Sequence, residues 1–281
     1  MLERVYIVRH GVRLSWFSSN WDKEASGSGL ANDDPLNEDG EVQVQELARH
    51  FESLPKDKQP TAIFSPSVPE DRCLQTAVPT SVALGVPIFV ETGLAEFLHP
   101  VIPGTGLHPR SPNAAALQHL FPQIDPTWSP VWIPSRRGET MAEHHTRMAE
   151  VARVLLPSAT RNQLHRSILI VTHVVPAIAL SRALVNNTEL SPRVGCGSIT
   201  ELVRGRYISM KEDATACEDT TAETSAWEPV VVAGTTHLSK GILKDWGFEK
   251  LTGKVEPVPG VAGTETKEDS PVGSQVVTTA S

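Results

Sequence analysis

The chain has 281 residues, 40% of them hydrophobic and 21% charged, with 25 Lys+Arg against 33 Asp+Glu and a formal net charge of −8. That length holds one large α/β domain or two small ones around a sizeable core, and the acidic balance excludes a stand-alone nucleic-acid binder, which needs a basic face to meet phosphates. The 22 prolines argue against a helical bundle and for many loops and turns.

The opening MLERVYIVRHG carries charge at Glu3, Arg4 and Arg9 and lacks a secretory-signal core. Within it, residues 5–8 are a short apolar run ended by Arg9-His10-Gly11, the pattern of a buried strand. The stretch from Trp16 to Trp21, with Phe17, reads as a lid packed on the core or as a stacking face for a ligand ring. Asn37 followed by Glu38-Asp39 starts a helix over about 38–54, with acidic residues at its positive end. Residues 61–64 form a second strand stopped by Ser65-Pro66. A helix follows over about 70–84, with Pro79 inside it, and then a third strand at 86–90.

Residues 97–137 are a proline-rich excursion with one short helix at about 113–120. Loops of that length in compact domains often cover a substrate. An amphipathic helix spans 139–156; its adjacent His144 and His145 lie on different faces and read as surface histidines, not a metal pair. Residues 167–171 are the fourth strand, and Pro176 suits the first position of a helix running to about 185. The most apolar stretch, 168–180, is broken by Thr172, His173 and Pro176 and is too short to span a bilayer.

Two strand-like segments, 199–203 and 230–232, flank an acidic loop at 209–229, where residues 211–228 hold one basic and six acidic side chains. The tail at 254–281 is rich in Thr, Gly, Glu and Ser and is expected to be disordered, leaving 1–253 as one domain. Cys73, Cys196 and Cys217 share no metal or redox spacing and read as ordinary thiols of a soluble protein in a reducing compartment, cytoplasmic or nuclear. Alternating strands and helices imply α/β architecture: a three-layer α/β/α sandwich with a mostly parallel sheet.

Two strands end alike, VYIVRH at Arg9-His10 and ILIVTH at Thr172-His173. In a parallel α/β sheet, ligands collect at the carboxyl ends of strands, so two histidines there could share a pocket. Singly, each is most simply a strand-end imidazole bonded to a carbonyl. Together, with Gly11 allowing close backbone approach and Arg9 and Arg13 flanking His10, they point to a site for an oxyanion. Arg72 opens the helix after Ser65-Pro66, where helical N–H groups also favour an anion.

These residues resemble a known family. Val8-Arg9-His10-Gly11 is similar to the signature of the histidine phosphatase superfamily, the phosphoglycerate-mutase-like enzymes. Ser65-Pro66 with Arg72 and Gln75-Thr76-Ala77 follow in the family's order, then Gly93-Leu94-Ala95-Glu96, Gly138-Glu139-Thr140 and Val171-Thr172-His173. Arg13, the excursion after Glu96, and His237-Leu238-Ser239-Lys240-Gly241 followed by Trp246 most resemble a fungal branch that contains a histidine-phosphatase subunit of transcription factor IIIC. Sts-type phosphatases are a more distant relation.

The resemblance implies that His10 is the nucleophile that takes up phosphate. Arg9, Arg13, Arg72 and His173 would hold its oxygens, and Glu96 would protonate the leaving group. It implies a phosphate monoester substrate, small molecule or phosphoprotein, and neither metal nor cofactor, since fixed cations can stabilise the equatorial oxygens. The alternative is a phosphatase-like interaction subunit whose acidic loop or tail meets a basic protein partner, without direct nucleic-acid or membrane contact. The chain departs from the family pattern in the five residues Ser67 to Asp71 before Arg72, among them Glu70 and Asp71, and in bulky Val174-Val175 after His173.

Overall fold

The computed structural model describes residues 1–16, 34–67, 72–163, 165–205, 227–250, 255–264 and 273–274. Phe17, Trp21, Glu70, Asp71, Cys217 and most of the acidic loop lie outside the described residues.

In chain order the regular elements are β1 (Arg4–Arg9), α1 (Glu38–Ser53), β2 (Ile63–Ser65), α2 (Arg72–Leu84), β3 (Ile88–Val90), α3 (Ala114–Leu117) and β4 (Trp132–Ile133). There follow α4 (Met141–Gln163), β5 (Ser167–Thr172), α5 (Val174–Val185), β6 (Ile199–Arg204), β7 (Trp227–Gly234) and β8 (Gly273–Ser274). The main sheet has the order β3-β2-β5-β1-β6-β7. Its first four strands are parallel, and β6 and β7 complete it antiparallel.

The period-2 alternation of the central strands sorts their side chains into two cores. Val5, Ile7, Ile168 and Ile170 pack with Met148, Val151 and Leu155 of α4 and Ile178 and Leu180 of α5. Tyr6, Val8, Leu169 and Val171 pack with Leu47 and Phe51 of α1 and Leu74 and Ala77 of α2. Helices therefore cover both faces, and the architecture is the expected α/β/α sandwich. Each large apolar side chain withdrawn from water in these clusters contributes roughly 1.5–3 kcal/mol.

Several helix boundaries follow from caps that the periodicity does not carry. The Asn37 side chain accepts from the Gly40 N–H, as an N-cap should. Gly40 is required by proximity, because a Cβ there would lie 2.2 Å from the Val12 carbonyl oxygen. Thr140 and Glu143 form a reciprocal capping box, with the Thr140 N–H donating to Glu143 at 2.7 Å and the Glu143 N–H donating to Thr140 Oγ1 at 3.2 Å. The helix so started does not stop at 156 but runs through Pro157 to Gln163. An internal proline costs about 3 kcal/mol, and burial of Ala159 in the core beyond it helps offset that. α5 begins at Val174 with His173 at the N-cap, so Pro176 stands at the third position, where its missing N–H is still harmless.

The tail requires a correction. Residues 255–264, expected to be disordered, run along the excursion. The Val258 N–H donates to the Pro100 carbonyl at 2.9 Å, Ile102 returns the bond to Val258 at 2.9 Å, and the Val261 N–H donates to Leu107 at 3.0 Å. β8 then pairs with β4. This docking uses main-chain bonds of an added strand, so it leaves no helical or alternating apolar period to read. Truncation after residue 253 is therefore expected to lower the melting temperature by several degrees, at about 2–4 °C per kcal/mol for a chain of this size. An unchanged melting curve would show that the paired segment contributes nothing to stability. Among the described residues, no helix is long and apolar enough to cross a membrane.

Candidate active site

β1 and β5 run parallel with Arg9 opposite Thr172, so the residues that follow, His10 and His173, leave adjacent carboxyl ends. The His10 N–H donates to the Thr172 carbonyl at 2.9 Å. The two imidazoles lie 5.2 Å apart between centroids, inclined at 65°, and both are buried. Strand register alone thus brings together two residues 163 positions apart.

His10 Nδ1 lies 2.7 Å from the Gly11 carbonyl oxygen. A carbonyl only accepts, so this contact assigns the ring proton to Nδ1 and leaves Nε2 with its lone pair. Arg72 Nε donates to that Nε2 at 3.1 Å, and Arg72 Nη2 lies 3.4 Å from His173 Nδ1. Burial, then the charges of Arg72, His173 and Arg9, hold the His10 pKa well below the ordinary imidazole value. Burial and the neighbouring arginines do the same to His173. Both rings are consequently neutral at physiological pH.

Arg72 is the first residue of α2 and is buried, with a pKa that burial brings down to about 10. It remains a cation at neutral pH. Its guanidinium lies against both histidines. Thr76 ties this turn to the loop after His10, donating to the Arg72 carbonyl at 2.7 Å and accepting from the Gly11 N–H at 3.1 Å.

Arg9 ends β1, and its Nη1 donates to the Val194 and Lys244 carbonyls at 2.8 and 2.7 Å. Arg13 Nη1 lies 3.4 Å from buried Asp34. The Nε atoms of Arg9 and Arg13 are buried and make no hydrogen bond among the described residues. Trp16 stands over both guanidiniums, at 5.3 and 4.7 Å, and its ring is 6.2 Å from that of His10. It forms a wall of the cationic side of the site.

Glu96 follows the tight turn at Thr92–Leu94. Its Oε1 accepts from the Phe97 N–H at 2.9 Å, and its Oε2 lies 3.8 Å from His173 Nδ1, with a quarter of the side chain exposed. Burial raises its pKa above the ordinary carboxylate value, against the opposing pull of the Phe97 N–H, Arg72, Arg9 and Arg147. The structure thus links His10, Arg72, His173 and Glu96 through direct contacts, and places Arg9 and Arg13 beside them across Trp16. Val174 packs against the core and Val175 is buried, so the bulk after His173 is absorbed by the sandwich.

Sequence reasoning missed three neighbours. Cys73 Sγ lies 3.4 Å from His173 Nε2, and Lys244 Nζ is 5.9 Å from the Trp16 ring. Asp34 accepts from Arg13 and the Ser15 N–H. None stands in a motif, and only the register of helix, loop and strand brings them near. The reading of His144 and His145 as surface residues is corrected. His144 is fully buried with Nδ1 2.8 Å from Glu139 Oε1, and His145 packs on Phe248 at 5.2 Å. A cavity of about 620 Å³ lies under the excursion, lined by residues that include Ala95, Leu98, Trp128 and Arg136 but not by the histidine pair or Arg72.

The comparisons agree with this geometry. The family model of the histidine phosphatase superfamily (branch 1) matches residues 5–207. The chain is 27% identical over 270 residues to the transcription factor tau 55 kDa subunit of Saccharomyces cerevisiae, covering 89% of this chain but only 59% of that protein. The crystal structure of the ecdysone phosphate phosphatase from Bombix mori, in complex with tungstate, is similar with a TM-score of 0.57 and 18% identity, over 82% of this chain and 93% of that one. On the family match, which takes in β1, α2, Glu96 and β5, this chain belongs to the histidine phosphatase superfamily and has its phosphoglycerate-mutase-like fold.

Proposed function

We propose that the chain is a metal-independent phosphatase that hydrolyses phosphate monoesters through a phosphohistidine on His10. In this reading Nε2 attacks phosphorus as the bond to the leaving oxygen breaks, and Glu96 gives that oxygen its proton. Water then attacks phosphorus, the P–N bond breaks, and the Glu96 carboxylate takes the water's proton. Arg9, Arg13, Arg72 and His173 hold the three remaining oxygens, supplying the fixed positive field that the transferring group needs. The observation that supports the proposal is the Nε2 of His10, unprotonated and met by the Arg72 guanidinium at 3.1 Å, beside the second strand-end histidine His173.

The direct test is phosphate release from phosphotyrosine peptides and small phosphate esters in the presence of a chelator, beside His10→Ala. Release abolished by the chelator in the wild type would defeat the metal-independent reading. A separate expectation concerns Arg72. Its forked donors bridge both rings, so Arg72→Ala should raise the inhibition constant for vanadate about tenfold or more, the loss of one charge-assisted contact. An unaltered constant would remove Arg72 from phosphate binding.

A second reading is favoured by the similarity to a transcription factor subunit. Here the chain serves as a phosphatase-like interaction subunit in the nucleus, its acidic residues 211–228 meeting a basic protein partner. Stoichiometric co-purification with transcription-factor subunits, together with a silent His10→Ala phenotype, would establish that reading over the catalytic one, in which the protein acts alone in cytoplasm or nucleus.

A further inference from the structure

Resting on the reading of Glu96 as the acid, we propose that Arg147, gripped by Glu139, is a positioning residue that holds the backbone carrying Glu96 at the angle needed for proton transfer. Arg147 lies on α4 and is buried. Its Nη1 donates to the carbonyls of Gly93 at 2.6 Å and Ala95 at 3.0 Å, and its Nη2 to that of Glu96 itself at 3.3 Å. One guanidinium therefore captures three carbonyls within the four residues that end at Glu96. The same group is held bidentately by Glu139, with Nε to Oε2 at 2.9 Å and Nη2 to Oε1 at 2.5 Å. A planar fork satisfied on both sides has little rotational freedom.

Glu139 is itself fixed by the base of the excursion. Its N–H donates to the Leu98 carbonyl at 2.9 Å. Gly138 before it takes φ +78°, and a Cβ there would sit 2.1 Å from the His99 carbonyl oxygen. The excursion thus departs just after Glu96 and returns against its own point of departure, where Glu139 and Arg147 close it. Glu96 follows a single tight turn after β3; Thr172 Oγ1 holds the Leu94 carbonyl at 2.6 Å, and the grip from α4 holds the carbonyls on either side of it, up to Glu96 itself. The Gly138-Glu139-Thr140 block, which the catalytic reading leaves without a task, acquires one here.

The pair also sets the field. Glu96 is faced by His173, by Arg72 from α2, Arg9 from β1 and Arg147 from α4. Burial opposes ionisation of Glu139, but hydrogen bonds from His144 and Arg147 outweigh it and hold its pKa at about 2. Glu139 is therefore an anion throughout the working range and cancels the charge of Arg147. An uncancelled guanidinium at this position would strip the proton from the donor.

The experiment compares kcat/KM for an alkyl phosphate, whose leaving oxygen needs a proton, with that for an aryl phosphate, whose oxygen does not. In Arg147→Met the alkyl-to-aryl ratio should fall about tenfold or more, the scale of a small misplacement of a reacting group. In a Glu96→Gln background the same substitution should leave the ratio unchanged, since the two residues act as one unit. Glu139→Gln, nearly isosteric and expected to fold, should move the basic limb of the alkyl profile to lower pH, because Arg147 then acts on Glu96 uncompensated. Equal loss on both substrates in Arg147→Met, or an unmoved basic limb in Glu139→Gln, overturns the positioning role. If Glu96→Gln alone slows both classes equally, the acid assignment fails first, and the positioning role falls with it.

Discussion

His10→Ala is expected to lower kcat/KM for phosphate monoesters by at least about 10³-fold and to abolish a phosphoenzyme label that is stable to alkali and labile to acid. The magnitude follows from what is removed. Without the imidazole the proposed phosphohistidine cannot form, and hydrolysis should revert to direct attack by water in a cationic pocket. The pocket itself should survive, because Arg9, Arg13 and Arg72 are held by contacts other than the His10 ring, including Val194, Lys244, Asp34 and the Thr76 turn. Vanadate or phosphate should still bind the variant within about an order of magnitude of the wild type. A variant with wild-type turnover would dismiss the covalent mechanism. One that loses turnover and anion binding together would mean that His10 is needed to build the pocket.

The second large effect belongs to Glu96. Glu96→Gln should slow an alkyl phosphate about 10²–10³-fold and an aryl phosphate only several-fold, since a positioned acid contributes roughly 10²–10⁴ when the leaving oxygen needs a proton. The comparison is made on kcat/KM, which covers steps up to phosphoryl transfer and is blind to slow breakdown of a common phosphoenzyme. The pH dependence has a definite sign. As the proposed donor Glu96 works protonated, so with its raised pKa alkyl turnover should be present below that value and lost as pH rises through it. As the proposed nucleophile His10 works neutral, so its depressed pKa should place the acid limb well below the usual imidazole range. The aryl substrate should share the acid limb and lack the basic one. A basic limb of equal size on both substrates would sink the assignment of Glu96 as donor.

Most of the sandwich was legible because it rests on one-dimensional patterns. Val5–Val8 and Ile168–Val171 are continuous apolar runs, each followed one residue later by a histidine, which a parallel register brings together. The Asn37 cap and the Pro-bounded turns set the helix starts in the same local way. What was not legible depends on encounters distant in sequence. Tail residues 255–264 dock through main-chain bonds, which any residue except proline can donate, and their valines, broken up by proline and glycine, show neither a helical nor an alternating period. His144 looked like a surface residue because its burial is decided by Glu139 and Arg147, whose shared face is occupied by the Gly93–Glu96 turn. Cys73 and Lys244 reach the site from a helix and a loop that carry no signal of their neighbours. Arg72 was uncertain for the opposite reason: the acids beside it in sequence say nothing of its direction, which α2 sets by starting at that residue.

The position of β1 has a consequence for how the protein is made. β1 is paired on one side with β5 and on the other with β6, partners about 160 and 195 residues later in the chain. Synthesis at about 5–20 residues per second leaves β1 without either neighbour for roughly 10–40 seconds. Val5, Ile7 and Val8 stay uncovered for that time, a hazard for any strand with free edges. Such distant pairing also carries a large loop-closure entropy and predicts slow, late formation of the sheet centre. A nascent chain stalled before residue 167 would be protease-sensitive around β1, and His10 would meet His173 only after β5 has been made.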